Sequence, residues 1–284
     1  MPKSDRKAGV RLGAVLFAGA ALALAGAALA LAGAAQAAPA KAAARTADPF
    51  AKGGPRDWSG VWSPVEGNLF DPSAGNSVGG EGSGPQTYRE FPPYNAEYEA
   101  RYKKEIDLAL AGQPRDPTAA CVPPGMPRLM TSPYPWEFVV LPERVLILKE
   151  YQSQVRRVFT DGRRHPADPD PSYNGHSIGH WEGDTLVIDT VGMRGDTWYD
   201  RTGAPHSDKV HLVERMRKAS PDRIELVMTI EDPVAFTRPW VVTRHYKREP
   251  TWEIMEFACT ENNRNVLDAN GVNTAVLQTG PKAE

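Results

Sequence analysis

Apolar and polar residues follow two different periods along this chain, and the change between them divides it. Tyr98, Tyr102, Ile106 and Ala109 recur at helical spacing, after Asn95 as an N-cap and before Gly112 as a C-terminal stop. The stretch 95–111 is the one helix the pattern predicts, and its single apolar face must lie on something. A Pro-rich loop over 113–135 follows. From Trp136 the period becomes two. Strands are predicted over Trp136–Leu141, Val145–Tyr151, Gln154–Thr160, Asn174–Trp181, Thr185–Gly192, Lys209–Lys218, Arg223–Glu231, Thr237–Arg248 and Trp252–Cys259. A short strand at Asp57–Trp62 brings the number to about ten. Turn residues such as Glu182-Gly183-Asp184 and Ser220-Pro221-Asp222 join most of them closely. Short connections force antiparallel neighbours, and meander order favours a closed barrel or a strongly curved sheet. The fold class expected is all-β with one accessory helix.

Some strands alternate cleanly, with Ile224, Leu226, Met228 and Ile230 on one face. Others do not. In His211–Arg217 one face offers Leu212, Glu214 and Met216, and the other His211, Val213, Arg215 and Arg217. A barrel whose lumen holds water or a polar ligand explains that mixture. An open sheet with an irregular exterior explains it too.

The amino terminus bears on compartment. Lys3, Arg6, Lys7 and Arg11 precede an uncharged run from Leu12 to Ala35, and Ala35-Gln36-Ala37 supplies a small-x-small cleavage pattern. Residues 1–37 are therefore expected to be a Sec-type signal peptide, with 38–56 a linker, 57–264 one β-domain and 265–284 a tail. A retained membrane anchor is the alternative, since the run is long enough to span a bilayer. Its Ala and Gly content transfers weakly into lipid, so no stable membrane insertion is expected after cleavage. Removing residues 1–37 takes away four basic side chains and Asp5 from 33 basic and 35 acidic residues, leaving 29 against 34. That acidic balance carries no basic stripe and excludes nucleic acid as a natural partner. Cys121 and Cys259 are the two cysteines of a chain bound for an oxidising compartment, and an even count there favours a disulfide between them.

Several motifs are long enough to be recognisable. Cys121-Val122-Pro123-Pro124-Gly125-Met126-Pro127-Arg128 is one, and Gly175-His176-Ser177-Ile178-Gly179-His180-Trp181-Glu182-Gly183-Asp184-Thr185-Leu186-Val187 is another. With Cys259-Thr260-Glu261-Asn262-Asn263-Arg264 they resemble a large uncharacterised family of exported bacterial proteins, over about Trp58 to Arg264. That resemblance implies export and carries no catalytic residues. Ser59-Gly60-Val61-Trp62 is similar to the Gly-x-Trp opening of lipocalin-type barrels, which implies a lipocalin-like barrel.

Ionisable groups are densest in the hairpin 174–192. If the turn is two-residue, Gly183-Asp184, Glu182 faces Thr185 and Ile178 faces Asp189. His176, His180 and Asp189 then share a face, with Asp189 diagonal to both histidines, whereas a one-residue change in turn length moves Asp189 to the other face. A carboxylate orienting His176 is a general-base arrangement, and Glu214 or His245 on later strands is the second titrating group expected. The same three residues carry metal-ligand chemistry, and three hydrophilic groups on a solvent face is the plain alternative; no metal and no cofactor is expected. His165-Pro166-Ala167-Asp168-Pro169-Asp170 lacks the Gly and distal Glu of a calcium loop and reads as a rigid turn. Loop 193–207, with Arg194, Asp196, Trp198, Tyr199, Asp200, Arg201 and His206, suits a lid over a small ligand, and salt bridges pinning it to the barrel rim are the plain alternative. Trp181, Trp198, Tyr199 and Arg157 are the expected ligand contacts. The leading expectation is a periplasmic β-barrel that binds an aromatic or amphipathic small molecule. The alternatives are a cofactor-independent lyase, isomerase or hydrolase, and a structural protein of the cell envelope. No Gly-x-Ser-x-Gly elbow, phosphate loop or dinucleotide fingerprint occurs.

Overall fold

The computed structural model describes residues 48, 50–65, 92–261, 263 and 265–275. The expected signal peptide, most of the linker, nearly all of the Gly/Ser/Pro-rich stretch 71–93, Asn262, Arg264 and residues 276–284 lie outside them. Nine strands follow one another in the order of the chain: β1 (Val61–Pro64), β2 (Trp136–Leu141), β3 (Arg144–Lys149), β4 (Gln154–Phe159), β5 (His176–Glu182), β6 (Thr185–Val191), β7 (His211–Ser220), β8 (Arg223–Glu231) and β9 (Trp240–Glu249). Each pairs with the next, and β9 pairs back onto β1 from Val61↔Glu249 to Pro64↔Tyr246, so the sheet closes into a barrel. A small hairpin of β10 (Asn265–Leu267) and β11 (Asn273–Ala275) stands apart.

Two expectations change. Trp252–Cys259 is not a strand. The physical reason is closure: β9 already has β8 on one side and β1 on the other, so no edge remains for another strand. The meander is also not wholly antiparallel, because β4 and β5 run parallel. Their connection, Thr160 to Gly175, is long enough to bring the chain back to the end where β4 began, which a tight turn cannot do.

Alternation decides what fills the lumen. Trp136, Phe138, Ile147, Leu186, Ile188, Leu212 and Met216 point inward and are buried with the apolar face of β8. Glu214 shares the inward face of β7 and is 0% exposed. Arg156 on β4, 1% exposed, meets it with both terminal nitrogens, Nη1 donating to Oε1 at 3.0 Å and Nη2 to Oε2. Nη2 of Arg156 also donates to Thr190 Oγ1 at 2.9 Å, and Thr190 shares a hydrogen bond with Ser177. The carboxylate that made one face look mixed is thus half of an internal ion pair across the barrel.

Helix α1 (Ala96–Leu110) begins where the capping residue says it should. Asn95 Oδ1 accepts from the backbone N–H of Glu97 and of Tyr98, each at 3.1 Å. Gly112, with φ +74°, sits just beyond its C-terminal end. The face Tyr98, Tyr102 and Ile106 is buried. Tyr102 meets Thr202 of the β6–β7 loop at 3.1 Å, so the helix covers that rim of the barrel. The short helix α2 (Arg128–Thr131) lies in the Pro-rich segment. Among the described residues, no helix is long and apolar enough to cross a membrane.

Candidate functional site

The rim under α1 is built from loops whose shape their own side chains fix. Asp116 begins a 3-10 turn over Pro117–Ala120, accepting from the Thr118 N–H at 3.0 Å. Its carboxylate also takes two bonds from Arg128, at 2.9 and 2.6 Å. Burial works to raise the Asp116 pKa, but the Arg128 hydrogen bonds and charge outweigh it and hold the carboxyl below its usual range. In the loop after β6, Asp200 Oδ1 accepts from the Thr202 N–H at 2.8 Å, and Gly203 turns at φ +90°. A Cβ on Gly203 would stand 2.7 Å from Cβ of Glu105, so only glycine lets the loop approach the helix this closely.

Between these loops lies a cleft of about 420 Å³. Glu105, Arg115, Asp116, Arg128 and Arg201 supply its charges, and Trp198, Tyr134 and Tyr151 its aromatic faces. Tyr134 and Tyr151 stack with ring centroids 4.8 Å apart and planes 6° from parallel. Behind this wall, Lys149 donates from inside the barrel to the carbonyls of Ser132 and Tyr134, and its ammonium lies 5.0 Å from the Trp136 ring. Burial pushes the Lys149 pKa down to about 7.

A second cluster stands on the outer wall. The hairpin register is Glu182↔Thr185 and Ile178↔Asp189, as a two-residue turn requires, and Gly183 takes φ +59°. His176 and Asp189 therefore share the outward face, yet a third ring stands between them. His165, from the β4–β5 connection, meets His176 Nδ1 with its own Nδ1 at 2.8 Å and Asp189 Oδ1 with its Nε2 at 3.0 Å. His211 Nε2 reaches the same Asp189 oxygen at 3.0 Å, and its Nδ1 lies 3.2 Å from Glu231 Oε2. Burial alone would lower the His211 pKa, but its bonds to Asp189 and Glu231 more than offset that and raise it. Burial, then the charges of His165 and Arg163, lower that of His176.

The other expected residues are scattered. Glu214 faces the lumen on the opposite side of the wall from His176, because neighbours in a strand alternate, so it is not the second group of that face. His245, on β9, is half-exposed near Glu225 at 3.8 Å, with three strands between it and β5. His180 turns to Glu182 at 3.1 Å. Trp198 lines the rim cleft, whereas Tyr199 beside it is fully buried and stacks on Phe236. Trp181 is at the other end of the barrel, edge-on to Trp58 with the Arg56 guanidinium over its ring. Arg157 is exposed on the outer wall. Cys121 and Cys259 are bonded, with Cα atoms 5.6 Å apart. Among the described residues, no group of three or more His, Cys, Asp or Glu is arranged to hold a metal ion. Sequence reasoning missed His165, His211 and the Arg128–Asp116 pair as site residues. Their partners are 11 to 24 residues away; His165 and Arg128 meet them through loop conformation, and His211 through the pairing of β7 with β6 and β8.

Set against known proteins, the chain matches no family model and no curated protein.

Proposed function

We propose that this barrel is an exported small-molecule-binding protein whose ligand occupies the rim cleft rather than the lumen. The observation that carries the reading is the cleft itself. Its volume of about 420 Å³ suits one small molecule, and its walls combine aromatic faces with a few placed charges. Arg115 is paired with Glu105 and Arg128 with Asp116 in this lining, and guanidinium hydrogen bonds suit a small carboxylate as the ligand. Trp198 and the Tyr134–Tyr151 stack favour a planar aromatic one. The lumen positions are taken up by packed side chains and the Arg156–Glu214 pair. Export rests on the order of charge, apolar run and Ala-x-Ala at the amino terminus, with a mature chain starting near Ala38.

Benzoate and other small aromatic carboxylates are the probes. Benzoate is expected to raise the melting temperature and quench tryptophan fluorescence, and Trp198→Ala to lose both responses while keeping its own fold. A panel that moves neither signal, or a Trp198→Ala variant that binds like the parent, would refute the site. Intact-mass analysis of protein from a bacterial host checks export, and a chain still carrying Met1 to Ala37 would contradict it.

A further inference from the structure

Where β4 and β5 run parallel they pair at only two positions, Val158↔Ser177 and Phe159↔Ile178, so the leading part of β4 has no partner in β5 and faces the segment that precedes it. The gap is a groove of about 340 Å³ on the outer wall, with Arg157, Phe159, Tyr173, Asn174 and His176 among its lining. It shares no lining residue with the rim cleft. His176 lies along it, its ring stacked at 27° on Phe159 with centroids 5.7 Å apart.

Counting protons along the histidine chain fixes which nitrogen is the base. An ionised Asp189 only accepts, so His165 and His211 each present an Nε2–H to it. His165 in its neutral form then has a lone pair at Nδ1. The 2.8 Å contact between the two Nδ1 atoms needs one proton, which His176 supplies. The lone pair of His176 is left at Nε2. Burial, His165 and Arg163 keep this ring from charging at neutral pH. His211, with a carboxylate at each nitrogen, has its pKa raised instead.

We infer that the groove is an acid–base site, separate from the rim cleft, in which His176 Nε2 takes a proton from a small molecule bearing an acidic C–H and an electron-accepting oxygen. Arg157 lines the same groove and supplies the positive charge for that oxygen. The substrate C–H bond breaks, its proton goes to Nε2, and its electron pair passes to the oxygen. The bridging proton then moves from His176 Nδ1 to His165 Nδ1, which leaves the positive charge on the ring that Asp189 holds. Asp189 stays ionised throughout. His176 is the catalytic residue; His165 and Asp189 are positioning residues that hold its Nδ1–H and so leave the Nε2 lone pair to the groove. The other charges facing this ring are Arg163 of the connection, which is paired with Asp161, and Arg157 of β4. No nucleotide, metal or redox partner enters the step.

The full chain can be tested with 5-nitrobenzisoxazole. A base removes its ring proton, the C–H electrons complete a nitrile, the N–O bond breaks and a coloured phenolate leaves. The rate should rise with pH through one ionisation below the ordinary histidine value. His176→Gln should lower kcat/KM about 100-fold, the lower end of what a positioned base contributes, with no change in melting temperature. Arg157→Gln should lower kcat/KM further than removal of any exposed arginine elsewhere on the wall. Asp189→Asn should keep turnover but move the inflection to lower pH, which a merely structural carboxylate would not do. Should His176→Gln fold poorly, His165→Gln leaves the base in place and should move the inflection to higher pH, because it removes a charge that lowers the His176 pKa. A parent rate no greater than that of equimolar free imidazole overturns the site. So does a His176→Gln variant as fast as the parent, or a pH profile that neither Asp189→Asn nor His165→Gln moves.

Discussion

Lys149 ends β3 on the inward side, and its charge is enclosed at 2% exposure. Its pKa in the fold is about 7, against 10.5 for an exposed lysine. Between those values the unfolded chain holds a proton that the folded chain has released, so stability rises with pH across that window. Below about pH 7 both states are charged and the full cost is felt. Urea unfolding between about pH 7 and about pH 10 should therefore show a rising stability in the parent that Lys149→Met lacks. Because slopes are compared, a constant loss from the abandoned Ser132 and Tyr134 carbonyls does not blur the outcome; equal slopes would rule it out. His211 has the opposite sign. Its folded pKa is raised, so its contribution is complete below the unfolded value near 6.5 and is lost as pH climbs through the folded one. His211→Gln should lower the melting temperature at about pH 5.5 and leave it nearly unchanged at about pH 8.5. Equal losses at both would show that the ring acts by packing. Neither behaviour was legible in the sequence, where Lys149 falls inside the strand expected over Val145–Tyr151 and His211 inside the one over Lys209–Lys218. What matters in each case is which partner a loop or a neighbouring strand brings near.

At the scale of elements, legibility followed the range of the interaction. The β5–β6 hairpin was readable to the residue because Gly183-Asp184 fixes its register locally. Helix α1 was readable because its cap, its apolar face and its stop all lie within one segment. The parallel pairing of β4 and β5 was not, since it depends on where a long connection delivers the chain. Glu214 is the instructive intermediate. The period of two put it on one face with Leu212 and Met216 but did not say that this face points inward, and its partner Arg156 stands 58 residues away on another strand. The pair is 1% and 0% exposed, so removing one member leaves an uncompensated charge in the barrel. Glu214→Leu alone should cost about 3–5 kcal/mol, whereas Arg156→Met with Glu214→Leu should recover most of that loss. Urea unfolding of both single variants and the double one measures the coupling. Strict additivity of the two single losses would show that the pair holds no joint energy.

For the molecule as a whole, the question is what keeps the chain after β9 attached to the barrel. Residues 250–261 form no strand, and they reach the rim by scattered contacts: Met255 N–H to Glu150 at 2.9 Å, Ser153 Oγ to the Phe257 carbonyl at 3.2 Å, and Phe257 edge-on to Tyr134. The β10–β11 hairpin continues this strap, with Asn273 donating to the carbonyls of Pro114 at 2.8 Å and Asp116 at 2.9 Å. The Cys121–Cys259 bond is its one covalent tie, and both cysteines lie outside the barrel strands. Breaking it should leave strand pairing intact while freeing the strap from the Pro-rich loop that walls the rim cleft. With the cysteines 138 positions apart in the chain, the loop-entropy model gives about 5 kcal/mol as the upper limit of the loss. Cys121→Ser with Cys259→Ser should therefore unfold at lower urea concentration, keep a parent-like far-ultraviolet spectrum and bind benzoate more weakly. A reducing agent should shift the parent toward that variant and leave the variant itself unmoved. If the variant matches the parent in stability, the scattered contacts hold the strap alone; if reductant moves both alike, the shift does not come from this bond.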